Sequence, residues 1–258
     1  MFKKLFAAVG VGGATVDTVL DNPQVVPGGT LSGVVCIKGG SVEQTIEYVD
    51  LVLMTEAEQE AGEDEIRVAH ALGRFRASGA LQIQAGQEQR LPFSFQLPLE
   101  LPVNNATALT TPGAPYYPHI RAAVWVHTDL AIAAAIDAKD RDFLDVRPLP
   151  QMQALIAALG QLGYMHASTD VEIGTVRVND IYSSLGCYQE FEFRPTQGGF
   201  GGLTGVQEVE VTCIPRPEGV HVLVEVDRRF RGDSYRALWM GPDWQRVDWA
   251  TQLRQLIG

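Results

Sequence analysis

Along most of this chain apolar and polar residues alternate in short runs, the period of a strand with one face buried. Thr15–Leu20 alternates and is followed by a Pro27-Gly28-Gly29 turn. Thr30–Lys38 is rich in β-branched residues and stops at Gly39-Gly40. In the next run Ile46, Tyr48, Asp50, Val52 and Met54 face one way, and Glu47, Val49, Leu51 and Leu53 the other. Arg67–Ala85 reads as two strands broken at Ser78-Gly79, and Arg90–Gln96, Ile120–Asp129 and Asp142–Arg147 as further strands. Two segments interrupt the rhythm. Glu56–Glu65 reads as a solvated loop or hairpin tip, and the Asn-, Thr- and Pro-rich Asn104–His119 as a long exposed loop.

Arg147-Pro148-Leu149-Pro150 reads as a stiff hinge, because each proline fixes its own φ and restricts the residue before it. Met152, Leu155, Ile156, Leu159 and Leu162 then recur at helical spacing before Gly163, predicting a helix over about 150–163. Strand alternation resumes at Val171–Val178, Tyr188–Arg194, Gly205–Ile214 and Val220–Val226. The tail reads as a helix with Trp249, Leu253, Leu256 and Ile257 on one face, and Gly198–Gly202 as a flexible loop. A further short helix is expected over Phe2–Val9, with Phe2, Leu5, Phe6 and Val9 aligned. The expectation is a mainly β protein of two β-sandwich domains, 1–147 and 148–258, with short helices at the N-terminus, the junction and the C-terminus.

Charge narrows the partners. The chain of 258 residues has a formal net charge of −11. Such a surface repels phosphate backbones, so nucleic acid is not expected as a partner. No run of about 18 apolar residues occurs, so no transmembrane segment is expected. The helix over Phe2–Val9 packs on the protein or makes a peripheral membrane contact. The three cysteines, Cys36, Cys187 and Cys213, form no disulfide framework or zinc spacing. They read as buried strand thiols in a reducing, cytoplasmic setting.

Few residues fall in a pattern that carries chemistry. The five histidines are scattered, and no P-loop, nucleophile elbow or dinucleotide fingerprint is present. No cofactor or metal is expected. Asp137, Asp140, Arg141 and Asp142 read as a structural charge network; calcium would need an oxygen ligand where Leu144 stands. Arg231-Gly232-Asp233 and the sequon Asn105-Ala106-Thr107 are short chance matches. Candidate interaction residues are Trp239, Trp244 and Trp249, which cap a core or form a docking element. The acids Glu56, Glu58, Glu60, Glu63, Asp64 and Glu65 join them, as a field that selects a basic protein partner.

Phe2-Lys3-Lys4-Leu5, Gly12–Leu20, Pro27–Val35 and Val42-Glu43-Gln44 together are similar to the opening of the SpoOM family of bacterial sporulation-control proteins. Leu91–Pro98, Trp125–Ile132, Ala135-Ile136-Asp137, Asp140-Arg141-Asp142, Pro148–Met152 and Gln189–Pro195 continue the resemblance. It implies an arrestin-like fold and a regulatory role in sporulation, cell-cycle or stress processes, and it supplies no catalytic residues. Asn104–His119 is longer than that family's usual connection. The expected function is a non-catalytic scaffold acting by protein–protein interaction. The alternative is a ligand-binding or hydrolytic enzyme that uses Asp137–Asp145.

Overall fold

Alternation produces the strands, and the turn residues set where each one stops. The computed structural model describes residues 12–62, 64–196, 205–229, 232 and 234–258. The expected helix over Phe2–Val9, the Gly198–Gly202 loop, Glu63, Arg231, Asp233 and the side chain of Asp64 lie outside the described residues. The first half holds β1 (Thr15–Leu20), β2 (Gln24–Val25), β3 (Thr30–Lys38), β4 (Gln44–Ala61), β5 (Asp64–Ser78) and β6 (Leu81–Ile83). It continues with β7 (Glu88–Gln96), the short helix α1 (Ala106–Leu109), β8 (His119–Arg121), β9 (Val124–Ile132), β10 (Ala138–Phe143) and β11 (Asp145–Val146). The second half holds α2 (Pro150–Gln161), β12 (Tyr164–Ile173), β13 (Arg177–Val178), β14 (Ile181–Tyr182) and β15 (Cys187–Pro195). It ends with β16 (Val206–Arg216), β17 (Gly219–Arg228), β18 (Ser234–Met240) and α3 (Trp249–Ile257).

In the first half a three-stranded sheet, β1-β3-β7, packs over part of a large one. Leu31, Val35 and Ile37 of β3 meet Ile46, Val49, Leu51 and Leu53 of β4 in a core without solvent access. Phe75 stacks on Phe95 with ring centroids 3.8 Å apart. The open side is tied by polar groups: Thr18 Oγ1 lies 2.6 Å from Thr128 Oγ1, and Thr18 N donates to Asp140 Oδ2 at 2.6 Å.

The large sheet has 11 strands and runs β10-β9-β4-β12-β15-β16-β17-β18, with β5, β6 and β8 paired at its sides. The first-half strands therefore join those of the second half through β4 and β8 against β12. In the second half α2 and α3 cover one face of the sheet. Pro150 opens α2 after an extended Leu149, which suits a residue without an N–H to satisfy. Met152, Leu155, Ile156 and Leu159 of α2 are buried in one cluster with Phe191, Phe193, Val211, Leu253 and Ile257. Gly163, at φ 83°, ends the helix in the left-handed region, and β12 starts at the very next residue. The expected strand at Val171 thus begins seven residues early, because one glycine makes the whole reversal.

The segment Asn104–His119 is not simply an exposed loop. Asn105 caps α1 by accepting from Ala108 N, Asn104 bridges Leu144 O and Val146 N, and Leu109 and Thr111 are buried. The anchor is His166, which is 1% exposed and stacks on Phe193 at 4.8 Å. Its Nδ1 lies 2.7 Å from Leu109 O, and its Nε2 2.7 Å from Thr169 Oγ1. Burial holds its pKa below the usual histidine value, so the ring is neutral and bonded on both sides. His166→Phe keeps the stacked ring but strands the Leu109 carbonyl. It is expected to cost about 1–3 kcal/mol, read as a lower urea midpoint with an unchanged slope.

Candidate functional site

The acidic run Glu56–Glu65 is neither loose nor uniformly solvated. Strand β4 continues through it to Ala61, and β5 returns from Asp64, so the run is the extended tip of a long hairpin. Register puts Glu58 opposite Arg67 on one side and Glu172 on the other. Arg67 donates to Glu56 Oε1 at 3.1 Å and to Glu58 Oε1 at 3.0 Å. Arg121 Nη1, from β8, lies 3.7 Å from Glu58 Oε1 and 3.5 Å from Asp170 Oδ1. This cluster joins strands of the two halves, and the side chains of Glu58 and Asp170 are nearly buried in it. Burial pushes Asp170 up to about 6 against the pull of Arg121, with Glu58 adding to the rise. Glu60 and Glu65 point to solvent.

Beyond the seam, the face of β12–β18 turned away from the helices carries acids in cross-strand register. Glu192 pairs with Glu210, Glu210 with Glu225, and Glu225 with Tyr235. The neighbouring row is Asp170, Glu190, Thr212 and Leu223. Glu208 lies opposite Asp227 and is held by Arg194 at 3.0 Å. Like charges placed directly opposite destabilise a sheet. Burial, then Glu210, Glu172 and Glu225, pushes Glu190 up to about 8. Burial and Glu58 push Glu172 up to about 7.

Trp239 lies at one edge of this face, 42% exposed and tilted against His221 with centroids 4.3 Å apart. A Cβ at Gly219 or at Gly241 would come within 2.7 Å of the indole, so the two glycines admit the ring and keep it flat. The three tryptophans therefore divide. Trp249 is buried as the first residue of α3, and its Nε1 donates to Trp244 O at 2.8 Å. Trp244 is half-buried, and only Trp239 presents much of its ring.

The run Asp137–Asp145 is sorted by strand parity. Asp140 and Asp142 of β10 turn toward β1, while Lys139, Arg141 and Phe143 turn outward. Asp140 accepts from Thr18 N and Arg141 N, and Asp137 accepts from Ile132 N at 2.9 Å. Arg141 stacks over Trp125, 4.9 Å from the ring centroid, on the face opposite the acids. Spacing suggests that Arg141 and Lys139 neutralise their neighbours; the period of two keeps them apart. Asp142 is pushed up to about 6 by burial, Asp140 and Asp17. Among the described residues no group of side chains suits a metal ion, and no helix is long and apolar enough to cross a membrane. The cysteines are free, in β3, β15 and β16.

The family model described as SpoOM protein matches residues 2–230. A relative named sporulation-control protein spo0M, from Bacillus subtilis (strain 168), is 35% identical over 231 residues, 90% of this chain and 82% of that protein. The chain belongs to the SpoOM family. The crystal structure of Spo0M from Bacillus subtilis matches with a TM-score of 0.81 at 28% identity, covering 96% of this chain and 98% of that one. The mainly β, arrestin-like architecture implied by the resemblance is therefore the fold of this SpoOM member.

No sequence motif marks Arg67, Arg121, Asp170 or the carboxylates of β15–β17. The available signal was that the outward positions of Gln189–Arg194, Gln207–Glu210 and His221–Asp227 are mostly acids. Glu190 has a folded pKa above its unfolded one, so its stability contribution is complete below about pH 4.5 and lost as pH rises through about 8. Glu190→Gln removes that loss. Its thermal midpoint should exceed the parent's at pH 9 by roughly 2–4 °C for each kcal/mol relieved. The two midpoints should converge below about pH 4.5, as scanning calorimetry across pH would record.

Proposed function

We propose that this SpoOM protein is a non-catalytic regulator in sporulation-type, cell-cycle or stress control. It acts by presenting the open face of β12–β18 to a basic segment of a protein partner. The relatives' role as sporulation-control proteins supports the regulatory part of this reading. One observation carries the rest: acids lie in direct cross-strand register beside a flat, clamped Trp239. Acids in register cost stability in the free protein, and a cationic partner relieves that cost while the ring supplies an anchor. The face is a surface rather than an enclosed cavity, which suits recognition by area and charge better than turnover. Residues 1–147 and 148–258 are proposed as the two domains, with the seam cluster as their polar contact.

The test is capture from an extract of the native host on the immobilised full chain, followed by titration of the purified partner. Trp239→Ala and Glu225→Lys are each expected to weaken binding tenfold or more, about 1.4 kcal/mol. The variant Lys38→Glu, exposed on the β1-β3-β7 sheet away from this face, should bind like the parent. A partner that binds all four proteins equally would refute the assignment.

A further inference from the structure

The seam fixes a relation between two patches that are far apart in sequence. Directly paired residues point to one side of a sheet, so Glu58 of β4 and Glu172 of β12 share a side. Followed toward β10, that side carries Asp50 and Arg76 on β4 and β5, Asp129 on β9 and Lys139 on β10. The next row is Arg74, Val52, His127 and Arg141, and the next Met54, Trp125 and Phe143. Four cations stand there with two carboxylates, and one of these, Asp50, is already held by both Arg74 and Arg76. Followed toward β18, the same side carries Asp170, Glu172, Glu190, Glu192, Glu208, Glu210, Glu225 and Asp227, with Arg194 as cation and Arg216, already held by Glu100, at the far end of β16. One side of one sheet is therefore split into a basic arm and an acidic arm, with the seam between them.

Each arm also exposes aromatic surface. Phe143 is 59% exposed beside Trp125 on the basic arm; Tyr235, 55% exposed, and Trp239 flank the acidic arm. Lysine on an edge strand such as β10 guards against unwanted strand pairing. That role explains Lys139 but leaves a largely solvent-exposed phenylalanine unaccounted for.

A surface with complementary ends on one side fits a second copy of itself. We propose that two copies of the chain associate face to face about a two-fold axis through the seam, each basic arm on the partner's acidic arm. Such an interface is isologous, so every favourable contact occurs twice and the assembly closes at two. The exposed Phe143, Tyr235 and Trp239 are covered in the process. Because it buries the open face, this dimer competes with the docking of any other partner there. It does not depend on that partner, since the purified chain alone reports it.

The experiment is sedimentation velocity on the full chain in about 0.05 and about 0.5 M salt, where screening differs severalfold in range. The parent should dimerise at low salt and dissociate at high salt. Lys139→Glu/Arg141→Glu and Glu225→Lys/Asp227→Lys should each weaken self-association tenfold or more, because each variant alone places like charges together in both halves of the interface. Mixed one to one, the two variants should recover a dimer, since every arm then meets its opposite. All four side chains reach solvent, and circular dichroism of each variant checks the fold. A parent that stays monomeric at low salt overturns the proposal. So does a mixture that fails to associate, or a species that grows past two with concentration.

Discussion

One sheet shared by both halves of the chain must keep one side apolar, and that requirement decides where almost every charge goes. Its inner side meets β1-β3-β7 in the first half and α2 and α3 in the second. An unpaired charge there would cost several kcal/mol, so most ionisable residues on its strands turn outward, with Asp140 and Asp142 of β10 and the neutral, hydrogen-bonded His166 of β12 as exceptions. The sorting separates Lys139 and Arg141 from Asp140 and Asp142 within six residues of β10. It also lines up Glu192, Glu210 and Glu225, which lie far apart in sequence. Neither arrangement follows from attraction between the charges. Both are by-products of the apolar side, which strand geometry converts into patches of one sign.

Within that outer side, the number of guanidinium bonds sets the state of each buried carboxylate. Burial alone would raise both Asp50 and Asp170. Asp50 accepts from Arg74 and Arg76, and the two cations together overcome burial and hold it below the usual range. Asp170 has a single guanidinium contact at 3.5 Å and Glu58 close by, and it rises to about 6. The seam thus places two arginines, Arg67 and Arg121, among Glu56, Glu58, Asp170 and Glu172. Their side chains remain 43% and 38% exposed, so water assists where protein cations are too few. Length is what brings the groups together: β4 runs 18 residues, far enough to bring its tip against β12.

Strands, both main helices and the proline at the junction were legible because each depends on neighbours in sequence. The alternation of Thr30–Lys38 and the helical spacing from Met152 to Leu162 are local signals, and the structure follows them closely. The seam was hidden because Arg67, Arg121 and Asp170 are brought together by strand register across the chain. His166 looked like one of five scattered histidines, and only the stacking of β15 beneath it makes it the anchor of Leu109 and Thr111. Glu58 could not be told from its acidic neighbours Glu60 and Glu65, since only position along the hairpin separates a paired carboxylate from a solvated one. The run Asp137–Asp145 misled for the opposite reason. Adjacency in sequence suggested pairing, whereas adjacency in a strand means opposite faces.

The acidic arm has a further property that follows from its crowding. Glu172 and Glu190 are pushed up to about 7 and about 8, so near neutral pH they are partly protonated in the free protein. A cation brought against them stabilises the ionised form and lowers both values. Docking of any basic group on this face is therefore coupled to proton release, and by linkage it strengthens as pH rises through that window. An anionic group meets the reverse: it must either keep those carboxyls protonated or face a growing field. The same crowding that weakens the free sheet thus acts as a selector by sign, requiring no cavity or bound cofactor. It is a property of eight carboxylates and one strand period.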